Sequence, residues 1–119
     1  MYKIYTLEEL EENFGKMKDI DEDFIEDKDG EYFAIKVQDS LVGYILVDED
    51  ERCYLIRRIF VRVGMRYKSY GMKLIKFLVN HGIEQKKEKI ICIDFSKQDF
   101  FKKNGFKEND GVLEIDNIQ

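Results

Sequence analysis

Six consecutive residues, Arg66-Tyr-Lys-Ser-Tyr-Gly71, put two cations, a hydroxyl and a glycine directly ahead of an apolar run with helical spacing. That combination suits an anion. Leu74, Ile75, Leu78, Val79, Gly82 and Ile83 predict a helix over residues 72–85. The first N–H groups of a helix have no partner inside it, and the helix dipole adds positive potential there, so a phosphate fits that position. Glycine lets the backbone come close to such a ligand. Charge agrees. Residues 52–83 contain eight basic residues and no acidic one, in a chain whose net charge is −5. One basic segment in an acidic chain suits a local anionic ligand better than a polyanion. The alternative is an ordinary strand-to-helix turn with solvated basic side chains.

The elements around this loop follow from periodicity. Residues 54–63 are rich in β-branched and aromatic types and predict a buried strand leading into the loop. Two adjacent charges, Arg57 and Arg58, break its period of two. Either a β-bulge re-aims one of them, or both sit in solvent at a strand end. Ahead of this strand, residues 31–38 alternate Phe33, Ile35 and Val37 against Tyr32, Ala34 and Lys36. Asp39-Ser40 predicts a turn and residues 41–47 the returning strand, so the two form a hairpin. Residues 48–51 make an acidic turn into the central strand. Residues 2–5 suit a first strand. Thr6-Leu-Glu-Glu9 is a capping-box pattern, followed by a stripe of Leu7, Leu10, Phe14 and Met17 on a helix ending near Lys18. The acidic stretch 19–29 is a loop or a short helix. After the long helix, residues 89–95 predict a strand, which makes a parallel strand–helix–strand unit. A short helix through Asn104 follows, capped from Ser96 to Asp99, with Gly105 as its left-handed C-terminal residue. Asn109-Asp-Gly111 predicts a final hairpin.

Composition narrows the function. The chain has 119 residues, suiting one domain over 1–119. No apolar run approaches membrane-spanning length, and the N-terminus reaches acidic residues within ten positions, unlike a secretory leader. A cytoplasmic protein is expected. Cys53 and Cys92 are far apart and there is a single histidine, so neither a metal site nor a disulfide framework is expected. His81 lies at the margin of a helix stripe, and Cys92 reads as a core thiol. A nucleotide P-loop lacks its Gly-Lys-Ser/Thr, and nucleic acid is not an expected partner.

The loop resembles the acyl-CoA pyrophosphate loop of the GNAT superfamily of N-acetyltransferases, Gln/Arg-x-x-Gly-x-Gly/Ala. Arg66 and Gly71 match, and Ser69 replaces the first glycine. Phe100-Phe-Lys-Lys-Asn-Gly-Phe106 is similar to the family's Phe-Tyr-x-x-x-Gly-Phe segment, and the resemblance covers roughly residues 31–108. It implies an α/β fold: a mixed, mostly antiparallel twisted sheet of six to seven strands, flanked by three to four helices, with one parallel crossover. It also implies acetyl-CoA as cosubstrate and an amine acceptor. Strand residues Ile59, Phe60 and Val61 would bond the pantetheine arm, and a backbone N–H near Ile59 would polarise the thioester carbonyl. The amides of Tyr67, Lys68, Ser69, Tyr70, Gly71 and Met72 would hold the pyrophosphate, with charge from Arg66 and Lys68. Phe101 would pack on pantetheine. The cleft would lie where the strands around Ile59 and Ile93 splay apart.

The acid–base groups depart from the family pattern. Phe101 stands where many members carry a tyrosine acid. Leu55 stands where the histone-acetyltransferase-like branch carries a glutamate base. Asp94 is the replacement base candidate, and Tyr54 and Tyr44 are hydroxyl candidates, each against a packing role. The expected function is transfer of acetyl from acetyl-CoA to an amine, on a small molecule or on a lysine or N-terminus. The acidic stretches 19–29 and 48–51 would suit a cationic acceptor, and a homodimer is compatible with the sequence. The rival reading keeps the fold and loses the chemistry: a module that binds CoA or a protein partner.

Overall fold

The computed structural model describes residues 1–6, 14–27, 29–66, 69–93 and 95–116. Seven strands form one sheet, in the order β1-β2-β3-β4-β5-β7-β6. They are β1 Tyr2–Thr6, β2 Glu31–Val37, β3 Ser40–Glu49, β4 Cys53–Val61, β5 Lys89–Cys92, β6 Lys107–Asn109 and β7 Val112–Asp116. Three α-helices lie among the described residues: α1 Phe14–Ile20, α2 Tyr70–Glu84 and α3 Gln98–Lys103. Every strand pair is antiparallel except β4–β5, which α2 joins. The expected mixed sheet with one crossover is therefore present.

Both faces of the sheet are covered. Phe33 and Ile35 of β2 join Ile45, Ile56, Leu74, Leu78 and Phe101 under α2 and α3. Tyr32 and Ala34 point the other way, with Tyr44 and Leu46, onto Met17 of α1 and Phe24. The alternation read from the sequence thus fills two cores rather than one.

Turn positions shift by a residue or two. Gln38 and Asp39 both take positive φ, 49° and 69°, so these two are the centre of the tight hairpin, one residue earlier than expected. Val37 pairs directly with Ser40 across it. The second hairpin matches, with Asp110 and Gly111 at φ 51° and 83°. Helix α3 closes as expected. Gly105 has φ +96°, its N–H bonds Lys102 C=O at 3.2 Å, and Phe106 N–H bonds Phe101 C=O at 3.0 Å. The Phe101 and Phe106 rings meet at 5.1 Å, completing a Schellman stop. Its start differs: a 3-10 turn, Phe95–Lys97, leads in, and the N-cap Lys97 makes no side-chain capping bond. The capping box and the Leu7 and Leu10 stripe fall largely on residues 7–13, outside the described residues, and α1 runs two residues past Lys18. Within the 19–29 stretch, α1 extends to Ile20 and the described residues 21–27 and 29 form turns and irregular chain.

The adjacent arginines sit at a bulge in β4. Leu46 pairs with Arg58 and Val47 with Ile56, leaving Arg57 as the extra residue. Both guanidinium groups reach the acidic 19–29 stretch. Arg58 Nη2 lies 2.7 Å from Asp21 Oδ2, and Arg58 Nε lies 3.0 Å from Tyr44 Oη. Arg57 pairs with Asp27 and, at 3.4 Å, with Asp48. Asp21 is 2% exposed and accepts a 2.5 Å bond from the Tyr44 hydroxyl. Burial alone would raise the Asp21 carboxyl, but bonds from Tyr44 and Arg58 outweigh it and hold it below the usual range.

A folded-state pKa below the unfolded one contributes stability above about pH 4, lost as pH falls through the folded value. Asp21→Asn should therefore cost about 2 kcal/mol near neutral pH, less than a fully buried pair because Arg58 is a third exposed. Urea denaturation of parent and variant should show the gap closing as pH drops below about 4. A gap independent of pH would mean that ionisation of Asp21 is not what stabilises the fold.

Candidate functional site

The site begins where β4 loses a neighbour. β4 and β5 pair only from Cys53–Lys89 to Ile56–Cys92. The bulge at Arg57 follows at once. A bulge bends its strand and increases local twist, so β4 turns away from β5 there. The apolar run read as a strand to Phe95 stops at Cys92, and Ile93 is exposed. Beyond the bulge, alternate residues of β4 face opposite edges. Arg62 N–H bonds Val42 C=O on the β3 side. The carbonyls of Ile59 and Val61 face the open side, where they accept from Lys97 Nζ and, at 2.8 Å, Arg66 Nε. In an extended strand the N–H and C=O of one residue point the same way, so the Ile59 and Val61 amides face the gap too.

The gap opens into a cleft of about 780 Å³. β4 contributes Ile59 and Val61; the chain into and along α3 contributes Lys97, Phe100 and Lys103. Arg66 and the α2 entrance, Ser69 to Met72, complete the lining. The first backbone bond of α2 runs from Lys73 N–H to Ser69 C=O at 3.0 Å, so the amides of Tyr70, Gly71 and Met72 have no acceptor within the helix. Gly71 is tight. A Cβ there would lie 3.0 Å from Phe100 Cζ. Ser69, the N-cap, sits at φ +68° and ψ 14° and makes no side-chain capping bond. The left-handed conformation costs a non-glycine residue roughly 1–2 kcal/mol. Serine therefore holds the conformation that glycine would adopt freely.

Of the residues singled out from sequence, Ile59, Val61, Arg66, Ser69, Tyr70, Gly71 and Met72 come together at this cleft. Tyr67, Lys68 and Asp94 lie outside the described residues. Phe60 pairs with Tyr44 in β3, and its ring stacks on that tyrosine at 6.1 Å on the opposite face. Phe101 is buried in the core at 1% exposure, and its neighbour Phe100 lines the cleft instead. Tyr54 is fully buried away from the lining, stacked on His81 at 5.9 Å, with its hydroxyl unpartnered. Burial pushes its pKa well up. Tyr44 is likewise raised, first by burial and then by its bond to Asp21.

Charge is redistributed relative to the sequence reading. Arg52 pairs with Glu88 at 2.6 Å, and Arg57 and Arg58 serve the acidic stretch, so three of the eight segment cations point elsewhere. The cleft gains Lys97 and Lys103 from outside the segment. These two and Phe100 are what sequence reasoning missed. The Phe100–Phe106 motif marked the right segment. A helix of six residues carries too little stripe to show which phenylalanine faces out. The acidic stretches also change meaning: Asp21, Asp27 and Asp48 pair with arginines, and Glu49 pairs with Lys87 at 2.8 Å.

Comparison with known proteins adds the family context. The model of the acetyltransferase (GNAT) family matches residues 1–106, extending further toward the N-terminus than the motifs alone. No curated protein matches the sequence. Among solved structures, the chain is similar to a GNAT family acetyltransferase from Elizabethkingia anophelis with acetyl-CoA bound, with TM-score 0.73, 13% identity and 97% of each chain covered. It is also similar to the ribosomal-protein alanine N-acetyltransferase of Escherichia coli, with TM-score 0.81 and 11% identity over 98% of this chain and 94% of that one. A third is N-acetylglutamate synthase from Neisseria gonorrhoeae complexed with coenzyme A and L-arginine, with TM-score 0.81 and 10% identity over 97% of this chain and 33% of that one. At such identities the likeness is one of fold.

Ser69→Gly removes the left-handed penalty and should raise unfolding stability by about 1 kcal/mol, read by urea denaturation. A loss of stability would mean that the serine hydroxyl has a structural role that outweighs the backbone strain.

Proposed function

This chain belongs to the GNAT acetyltransferase family, and on that premise we propose that it is an N-acetyltransferase, one domain over residues 1–119, using acetyl-CoA and an amine acceptor. One observation carries the reading. The open amides of Tyr70, Gly71 and Met72 and the free edge of β4 line the same cleft. Its volume, about 780 Å³, suits a ligand of cofactor size. The acetyl-CoA bound to the Elizabethkingia relative supports the ligand class.

The α2 entrance holds the diphosphate, with Arg66 adding charge. Charge-assisted hydrogen bonds of this kind contribute roughly 1.5–3 kcal/mol each. The amides of Ile59 and Val61 take the pantetheine arm along the strand edge, and Phe100 packs against it. The Ile59 N–H polarises the thioester carbonyl, a role that needs no side chain. The acceptor amine attacks the carbonyl carbon; the C–N bond forms, the C–S bond breaks with its electrons on sulfur, and the amine loses a proton. Holding amine and thioester together supplies proximity. The acceptor is a small-molecule amine, a lysine or an N-terminus. Cys53 and Cys92 form no disulfide, which suits a reducing compartment, so the cytoplasm is the proposed location. A second reading, coenzyme binding without transfer, has one observation behind it: Phe101 is a core residue with no hydroxyl.

Titration calorimetry with acetyl-CoA should show saturable binding, and no heat at millimolar ligand would end the proposal. Gly71→Glu should abolish that binding, because bulk and negative charge enter at the diphosphate and against Phe100. Unchanged affinity would mean the α2 entrance is not the contact. Thiol release with a panel of amines separates the two readings, since binding without release favours the second.

A further inference from the structure

Lys97 is unexplained by the family motif, yet it lines the cleft beside Ile59. It precedes α3 as its N-cap and leaves its own side chain out of capping. The side chain is half-buried, and Nζ donates to the Ile59 carbonyl, thirty-eight positions away, on the open edge of β4. This edge is the stretch past Ile56, where β5 no longer pairs. The backbone of Ile59 therefore offers two things to the same gap: its own N–H, and a carbonyl that fixes an ammonium. A carbonyl anchor removes much of the freedom a lysine otherwise has, which pre-organises the charge. Of the acid candidates read from sequence, Tyr54 and Tyr44 are buried away from the cleft, and Phe101 offers no hydroxyl. The hydroxyl-bearing residues that do line it, Ser69 and Tyr70, belong to the α2 entrance, whereas Lys97 is bonded to Ile59 itself.

We infer that Lys97 is a catalytic residue of the acyl transfer: its ammonium, held on the Ile59 carbonyl, meets the sulfur that leaves the thioester. The inference rests on the acyl-transfer reading above. When the amine nitrogen bonds to the carbonyl carbon, the C–S bond breaks and its electron pair stays on sulfur. The resulting thiolate pairs with the ammonium, which keeps its proton. The proton shed by the amine passes to water. A cation a few ångströms from sulfur favours the thiolate over the thiol, and this preference can be measured without knowing the acceptor.

The experiment is a pH titration of CoA bound to the full chain, following thiolate absorbance by ultraviolet difference spectroscopy. In the parent, the thiol of bound CoA should be about 10- to 1,000-fold more acidic than that of free CoA, the range for an opposite charge close by. Lys97→Gln should return it to the free value while CoA still binds, and Lys97→Arg should keep most of the effect. Thermal melts of both variants report whether the fold is retained. If parent-bound CoA titrates like free CoA, or if Lys97→Gln retains the effect, the assignment of Lys97 is overturned and the acyl-transfer reading stands. If CoA does not bind the parent, both fall.

Discussion

A strand with a neighbour on one side only must find other partners for half of its backbone groups. β4 is such a strand from Arg57 onward. Its parallel pairing with β5 ends at Ile56, and the bulge at Arg57 bends it away. The carbonyls of Ile59 and Val61 on the side away from β3 accept from Lys97 and Arg66. The amides of the same residues face the same opening. An open edge inside a fold is a liability unless something pairs with it. Here the opening is flanked by the entrance of α2, which brings a second set of unpaired amides to the same cleft. The site is thus built mainly from backbone, with side chains adding charge.

The bulge does more than open the edge. Because an extra residue enters β4, two adjacent arginines both engage the chain that follows α1, one through Asp21 and one through Asp27. The Asp21–Tyr44–Arg58 contact lies at the bulge, under the second core. The interaction that ties the α1 side of the sheet to β4 therefore sits at the residue where β4 departs from β5. Stability on one face and the opening at the strand edge share one irregularity.

Much of this was legible in the sequence, for reasons that can be named. Alternation in residues 31–47 set the hairpin, and Asn109-Asp-Gly111 set the last turn through its need for positive φ. The break at Arg57-Arg58 marked the bulge because two neighbouring charges cannot both obey a period of two. The loop motif located the α2 entrance. What sequence left hidden depends on the third dimension. A concentration of eight cations in residues 52–83 looked like one patch, but Arg52, Arg57 and Arg58 are spent on carboxylates that the fold brings from residues 21, 27, 48 and 88. Lys97 and Lys103 join the cleft only because the β4–β5 crossover sets α3 beside the α2 entrance. The length of β5 was misjudged because Ile93 and Phe95 extend an apolar run beyond the point where a pairing partner exists. Ser69 takes a left-handed backbone conformation that glycine adopts without strain, a feature that its letter alone does not reveal.

The central claim is that backbone amides at the α2 entrance contact the diphosphate of a coenzyme. Amide resonances of the isotope-labelled chain, followed during a titration with CoA, test it most directly. The account predicts that the largest chemical-shift changes fall on Tyr70, Gly71 and Met72, with a second group at Ile59 and Val61. Saturable binding that leaves those five amides unmoved, while shifting others elsewhere in the sheet, would contradict it.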